Sequence, residues 1–174
     1  ARRRTLRETR GMMSVLMRLI ASMVIAAVLI GPAAPVGAQT PLPNAAEADA
    51  TVATVWFDLI LELIRQSPGY TPPVASRALG YAGVTLYEAV APGIPNAKSL
   101  AGQLNGLHTL PRPHDGAEYD WQLVANSAMA TISRRLFAGA GDPARTAIDG
   151  LETTLRKRYS VGVSPATVRR SIEY

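Results

Sequence analysis

The chain has 174 residues, 48% of them hydrophobic, 6% aromatic and 18% charged, which suits one domain or part of one. It has no cysteine, which excludes disulfides, thiolate metal sites, a cysteine nucleophile and a lipidated cysteine. The formal charge of +5 is confined to residues 1–38, where six arginines (Arg2, Arg3, Arg4, Arg7, Arg10, Arg18) meet one acid (Glu8); residues 39–174 carry 18 − 6 = 12 basic and 13 − 1 = 12 acidic side chains, so the basic pI gives no support for a nucleic-acid-binding body.

Residues 1–38 read as a secretory signal peptide with a basic extension. Arg18 supplies positive charge, Leu19 to Ile30 is an apolar run, Gly31-Pro32 breaks it, and Val36-Gly37-Ala38 is a small-residue cleavage pattern. Cleavage is expected between Ala38 and Gln39, and the product is expected to be exported, periplasmic or extracellular. The apolar run is shorter than the about 20 residues a spanning helix needs, which favours cleavage over a retained anchor. Ala1 to Gly11 precedes Met12 and Met13, so the start of translation lies open; Arg3-Arg4-Thr5-Leu6 leaves a twin-arginine export signal as the alternative. Residues 39–50 are polar and rich in Pro and Ala, and are expected to be a flexible linker.

Residues 51–174 read as helices. The stretch Val52 to Val90, two helices around a Pro-rich turn, is expected to be the element on which the rest is organised. The first helix is placed at about Ala48 to Arg65. Its polar positions Thr51, Thr54, Asp58, Glu62 and Arg65 step by three and four into one thin stripe, so most of its circumference is expected to be enclosed. Pro68-Gly69 ends it. Thr71 is placed to cap the second helix, which runs from Pro72 to about Val90. Gly80 and Gly83 within that helix imply another backbone close by. Arg77, Tyr81, Thr85 and Glu88 share one face, read either as a solvated or inter-helix hydrogen-bonding face or as a substrate-contacting one.

Ala91 to Asn96 ends the second helix, and a long connection runs to Tyr119 with one short helical turn near Leu100 to Leu107. It holds both histidines, His108 and His114, six apart, which is not a compact metal-ligand spacing. Asp120 caps a third helix, Trp121 to Phe137, buried along Trp121, Val124, Ala125, Ala128, Met129, Ile132 and Leu136. Arg134 and Arg135 suit its C-terminal dipole. Asp142-Pro143 opens a fourth helix, buried along Ala144, Ala147, Ile148, Leu151 and Leu155, with Arg145/Asp149 and Glu152/Arg156 as i,i+4 pairs. The cluster Arg156-Lys157-Arg158 is read as a solvated helix end. Ser164-Pro165 starts a fifth helix, which reaches Tyr174 without a terminating Gly or Pro and is read as truncated.

No G-x-S-x-G, P-loop, G-x-G-x-x-G or H-E-x-x-H occurs. Asp58 and Glu62 lack the Glu-x-x-His partners of a di-metal bundle. The sequence therefore assigns no catalytic, cofactor-binding or metal-ligating residue to these 174 positions.

Val55-Trp56-Phe57-Asp58-Leu59, then Pro72-Pro73-Val74-Ala75-Ser76-Arg77-Ala78-Leu79, then Leu86-Tyr87-Glu88-Ala89, resembles the N-terminal helices of vanadium-dependent haloperoxidases and their relatives, the type 2 phosphatidic acid phosphatases. Tyr119-Asp120-Trp121 through Ala125-Asn126 to Leu136-Phe137 is similar to that family's next core helix. The resemblance spans about Thr51 to Tyr159. It implies an all-α fold of packed bundles, usually dimeric, that holds vanadate for peroxide-dependent halide oxidation or hydrolyses a phosphomonoester. The family's oxyanion motifs, K-x6-R-P, P-S-G-H and S-R-x5-H, are absent; Arg112-Pro113 is the one R-P, and Asn105 stands where the lysine belongs. The expectation is an all-α N-terminal part of a haloperoxidase-like domain, inactive by itself, whose partner is a missing C-terminal catalytic half. No stable membrane anchor is expected after cleavage. The alternative is a non-catalytic exported helical binding or structural protein.

Overall fold

The computed structural model describes residues 42–174. The expected signal peptide and cleavage site fall outside the described residues. Every regular element among the described residues is helical: α1 (Thr51–Gln66), α2 (Pro72–Val90), a 3-10 turn (Ala91–Gly93), α3 (Trp121–Leu136), α4 (Asp142–Tyr159) and α5 (Pro165–Glu173).

The helix starts follow from local chemistry. Asp120 is extended, and its carboxylate accepts the Leu123 N–H at 2.9 Å, as expected. Ser164 does the same for Thr167 at 3.1 Å, with Pro165 following. Two caps differ from expectation. Thr71 occupies its cap position, but its hydroxyl makes no cap bond, and the start of α2 rests on the prolines. In α4 the cap position is Gly141, at φ 84°, and Asp142 is already helical. The first helix begins at Thr51 rather than Ala48, because the Asp49 carboxylate takes the Thr51 N–H at 2.8 Å and holds the preceding residues outside the coil. Upstream, the Asn44 side chain accepts the N–H groups of Ala46 and Glu47, and Ala45 N–H donates to Gly93 O at 2.8 Å. A turn tied to the 3-10 segment therefore stands in what read as an open linker.

The packing centre is α3, not the α1–α2 pair. It packs against α1, α2, α4 and α5, whereas α1 and α2 touch each other only sparingly. Its burial accordingly extends beyond the expected stripe, taking in Leu123, Asn126, Ala130 and Ser133, while Trp121 is only half-buried. The core joins Val52, Trp56, Ile60 and Leu63 of α1 to Ala82 of α2, Met129 and Ala130 of α3, and Ile148 and Leu155 of α4. Each fully buried Leu, Ile or Met is worth about 1.5–3 kcal/mol. The outer side of α1 is less covered than its apolar sequence implied. Only those four residues are fully buried, Val55, Phe57, Leu59 and Ile64 are half-buried, and Leu61 is exposed.

α2 and α3 run antiparallel. Tyr70, just before α2, donates its hydroxyl to Leu136 O at the end of α3 (2.6 Å) and stacks on Phe137 at 4.9 Å. At the other end, Gly93 lies against the Trp121 indole, so closely that a Cβ would overlap the ring. Gly80 and Gly83, expected to admit a neighbouring backbone, have nothing within 4 Å of such a Cβ. The close approach the glycines implied occurs at Gly93 instead, after the helix has ended.

Candidate functional site

The side chains that can face a ligand gather along one stripe of α3. Val124, Ser127, Ala128, Thr131, Ile132 and Arg135 follow each other by three, one, three, one and three, which is one helix face. From Val124 to Arg135 this face runs about 16 Å at 1.5 Å per residue. It floors a cavity of about 590 Å³. Val84, Thr85, Glu88 and Ala89 of α2 form one wall, the segment Leu107 to Pro111 a second, and Ile172, Glu173 and Tyr174 the third. That volume lies within the 300–1,000 Å³ usual for small-molecule sites, and the walls are apolar with a few polar groups, the usual composition of such sites.

The antiparallel pairing sorts the charges by position. Glu88 sits near the end of α2, hence beside the start of α3. The end of α5 is at that same end, because Ser171 Oγ accepts the Asp120 N–H at 2.9 Å and the Tyr174 ring meets Tyr119 edge-on at 5.5 Å. Glu88 and Glu173 thus stand at one end of the cavity and Arg135 at the other. Glu88 is already engaged: its carboxylate oxygens accept the Ser99 hydroxyl at 2.7 Å and the Leu100 N–H at 2.5 Å. Tyr87 assists by donating to Lys98 O at 2.7 Å. These bonds fix the start of the 97–118 connection, which is held by turns rather than by the expected helical turn. Burial pushes the Tyr174 hydroxyl above the usual tyrosine range, so it stays neutral where it lines the cavity.

The polar face expected on α2 is split by this arrangement. Arg77 and Tyr81 are exposed, Tyr81 at 56%, while Thr85 and Glu88 reach the cavity. Arg134 and Arg135, read together as dipole complements, also separate. Arg134 bridges to Asp149 (2.8 Å) and Glu152 of α4. This replaces the expected Arg145/Asp149 and Glu152/Arg156 pairs, and Arg145 turns to Asp142 at 3.3 Å instead. Arg135 makes no ion pair among the described residues and faces the cavity. Its mark in the sequence is the i,i+4 run Ser127, Thr131, Arg135, which gives α3 a second, polar stripe. Asp58 is exposed, and Glu62 bonds locally to Arg65 and Gln66, which lowers its pKa. The Arg156–Arg158 cluster is exposed.

A second cavity, of about 960 Å³, adjoins the first across Glu88, Leu110, Pro111 and Tyr174. It brings both histidines, His108 and His114, together with Arg112. This donor set does not fit vanadate. All three are exposed loop side chains, and the same cavity is lined by the carboxylates Asp115 and Glu88, which repel an oxyanion. No group of three or more His, Asp or Glu side chains placed to hold a metal ion occurs among the described residues. No described helix is long and apolar enough to cross a membrane. In the comparisons with known proteins, no family model, curated protein or solved structure matches the chain.

Proposed function

We propose that this chain is the N-terminal helical scaffold of an exported oxyanion enzyme of the vanadium-dependent haloperoxidase and type 2 phosphatidic acid phosphatase kind. The intact protein would oxidise halide with peroxide or hydrolyse a phosphomonoester. The observation that carries this reading is the use made of the motif residues on which the resemblance rests. Trp56, the tryptophan of the first motif, donates its indole N–H to Asn126 Oδ1 of the third-helix motif at 2.9 Å, deep in the core. Asn126 passes the link on to Glu152 O at 3.0 Å. Tyr87 and Glu88, from the second helix motif, anchor the following loop. Trp56 and Asn126 join helices to each other and Tyr87 and Glu88 tie a helix to its loop, as scaffold residues do, and the all-α architecture is the one the resemblance implies. On this reading the oxyanion-binding Lys, Arg, Ser and His belong to sequence outside these 174 residues. They would complete the protein as its partner half, and a second copy would complete the dimer.

The test begins with the encoding DNA past codon 174. The expected result is an open frame supplying K-x6-R-P, P-S-G-H and S-R-x5-H. Its full product should then show vanadate-dependent bromide oxidation or p-nitrophenyl phosphate hydrolysis, and N-terminal sequencing of exported material should begin at Gln39. A stop codon after Tyr174, or a continuing frame without those motifs, overturns the enzyme reading. The second reading, a non-catalytic exported helical binding protein, is favoured by the 590 Å³ cavity, which is bounded by this chain's own elements.

A further inference from the structure

We infer that the cavity along α3 binds an elongated amphipathic carboxylate, its apolar chain lying along the helix and its head group at Arg135. Three observations lead there. The cavity is long: its α3 face extends about 16 Å, the reach of roughly a twelve-carbon chain. Its lining is largely apolar, with Val84, Leu107, Ala128 and Ile132 contributed by three different segments. Its ends differ in charge. At the α5 end Glu88 has both oxygens engaged by Ser99 and Leu100. Glu173 there also lines the neighbouring 530 Å³ groove, together with Arg169. At the other end Arg135 makes no ion pair among the described residues, and Thr131 lies one turn before it on the same face.

A guanidinium binds a carboxylate through two parallel N–H donors, and the Thr131 hydroxyl is a third donor within the same turn. Arg135 is exposed, so a head group bound there stays partly hydrated while the chain is buried. That division places the apolar part out of water and leaves the charge where its desolvation cost is small. A cationic head would meet Arg135 with like charge. The inference stands on the cavity alone and holds under either functional reading, so gene sequencing and ligand titration fail independently.

The test is calorimetric titration of the full chain with dodecanoate, kept below its micelle concentration, with dodecylamine and 1-dodecanol as comparisons. The expected result is saturable one-to-one binding of dodecanoate, with the alcohol at least about tenfold weaker and the amine weaker still. Arg135→Ala should weaken dodecanoate by about tenfold or more while leaving dodecanol unchanged, and Arg135→Lys should recover part of the loss. Ala128→Trp should abolish binding of both by filling the slot; should that variant not fold, the Arg135→Ala pair decides alone. Absence of saturable dodecanoate binding overturns the inference. So does dodecylamine binding as tightly as dodecanoate, or dodecanoate binding unchanged in Arg135→Ala.

Discussion

Two residues, Gly93 and Asp120, set how α3 begins, and each makes a distinct prediction. Gly93 is needed for space. Any side chain there overlaps the Trp121 indole at its ring-fusion carbons and Nε1, a rigid part of the ring with no flexible end to yield. Gly93→Ala is expected to destabilise by about 1–3 kcal/mol, the usual cost of overpacking, read from urea unfolding. Gly80→Ala, at an exposed helical position with nothing within 4 Å, should stabilise by up to about 1 kcal/mol, so the two glycines should differ in sign. Asp120 is a buried cap whose pKa is raised, because desolvation outweighs the backbone N–H bonds from Leu123 and Gln122. The folded chain therefore holds this proton to higher pH than the unfolded one. Its contribution to stability is fully present in acid, below the ordinary aspartate range, and is lost as pH rises through the raised folded value. Asp120→Asn keeps an oxygen for the Leu123 N–H but has no charge to desolvate. The difference in stability between Asp120→Asn and the native chain should therefore grow in favour of Asn as pH rises across that window. Asp120→Ala loses the cap and should cost about 1 kcal/mol in acid, a cost that shrinks as pH rises through the same window. Parallel denaturation curves for native and Asn variants from pH 3 to 7 would contradict the raised pKa.

At the scale of elements, what the sequence disclosed was whatever is encoded within one or two turns. All five helices were placed from periodicity and from Pro, Ser and Asp at their starts, and the buried stripe of α4 held at Ala144, Ile148 and Leu155. What it hid was pairing between distant segments. Trp56 and Asn126 are 70 residues apart, and Arg134 lies 15 and 18 residues from its partners Asp149 and Glu152. The importance of α3 as the packing centre is likewise a property of the assembled bundle, since its mixed Ala, Ser and Asn content reads as weaker than α1. The cavity was hidden for the same reason: its walls come from four segments. The two inter-helix links should differ sharply in worth. Asn126 is buried and bonds both α1 and α4, so Asn126→Leu strands the Trp56 N–H and removes the tie to the Glu152 carbonyl, and should cost about 2–4 kcal/mol. Arg134 is 39% exposed, so Arg134→Ala should cost no more than about 1 kcal/mol, and that loss should shrink in high salt. An Arg134 variant as damaging as Asn126→Leu would mean that the surface clamp, not the buried amide, fixes α4.

At the scale of the whole molecule, the two functional readings differ in how self-sufficient these helices are. α1 contains ten aliphatic or aromatic side chains or alanines in sixteen positions, yet only one face of it is fully buried, with Leu61 39% exposed and Val55, Phe57, Leu59 and Ile64 half-covered. A scaffold whose outer helix is completed by further chain should leave this side unsatisfied when residues 39–174 are prepared alone. Such apolar edges promote self-association, and a core lacking one side loses cooperativity before it loses helix. The expected outcome under the enzyme reading is a broad thermal transition, with a calorimetric enthalpy well below the about 0.7 kcal/mol per residue of complete domains, together with oligomers in sedimentation. Under the binding-protein reading the same preparation should sediment as one species and melt in a single reversible transition, with calorimetric and van't Hoff enthalpies equal. Added dodecanoate should then raise the transition temperature, because a ligand held by the folded state alone stabilises it by mass action. A sharp, reversible, monomeric transition would therefore count strongly against the scaffold assignment, and its shift with dodecanoate would show that the α3 cavity is built by these helices alone.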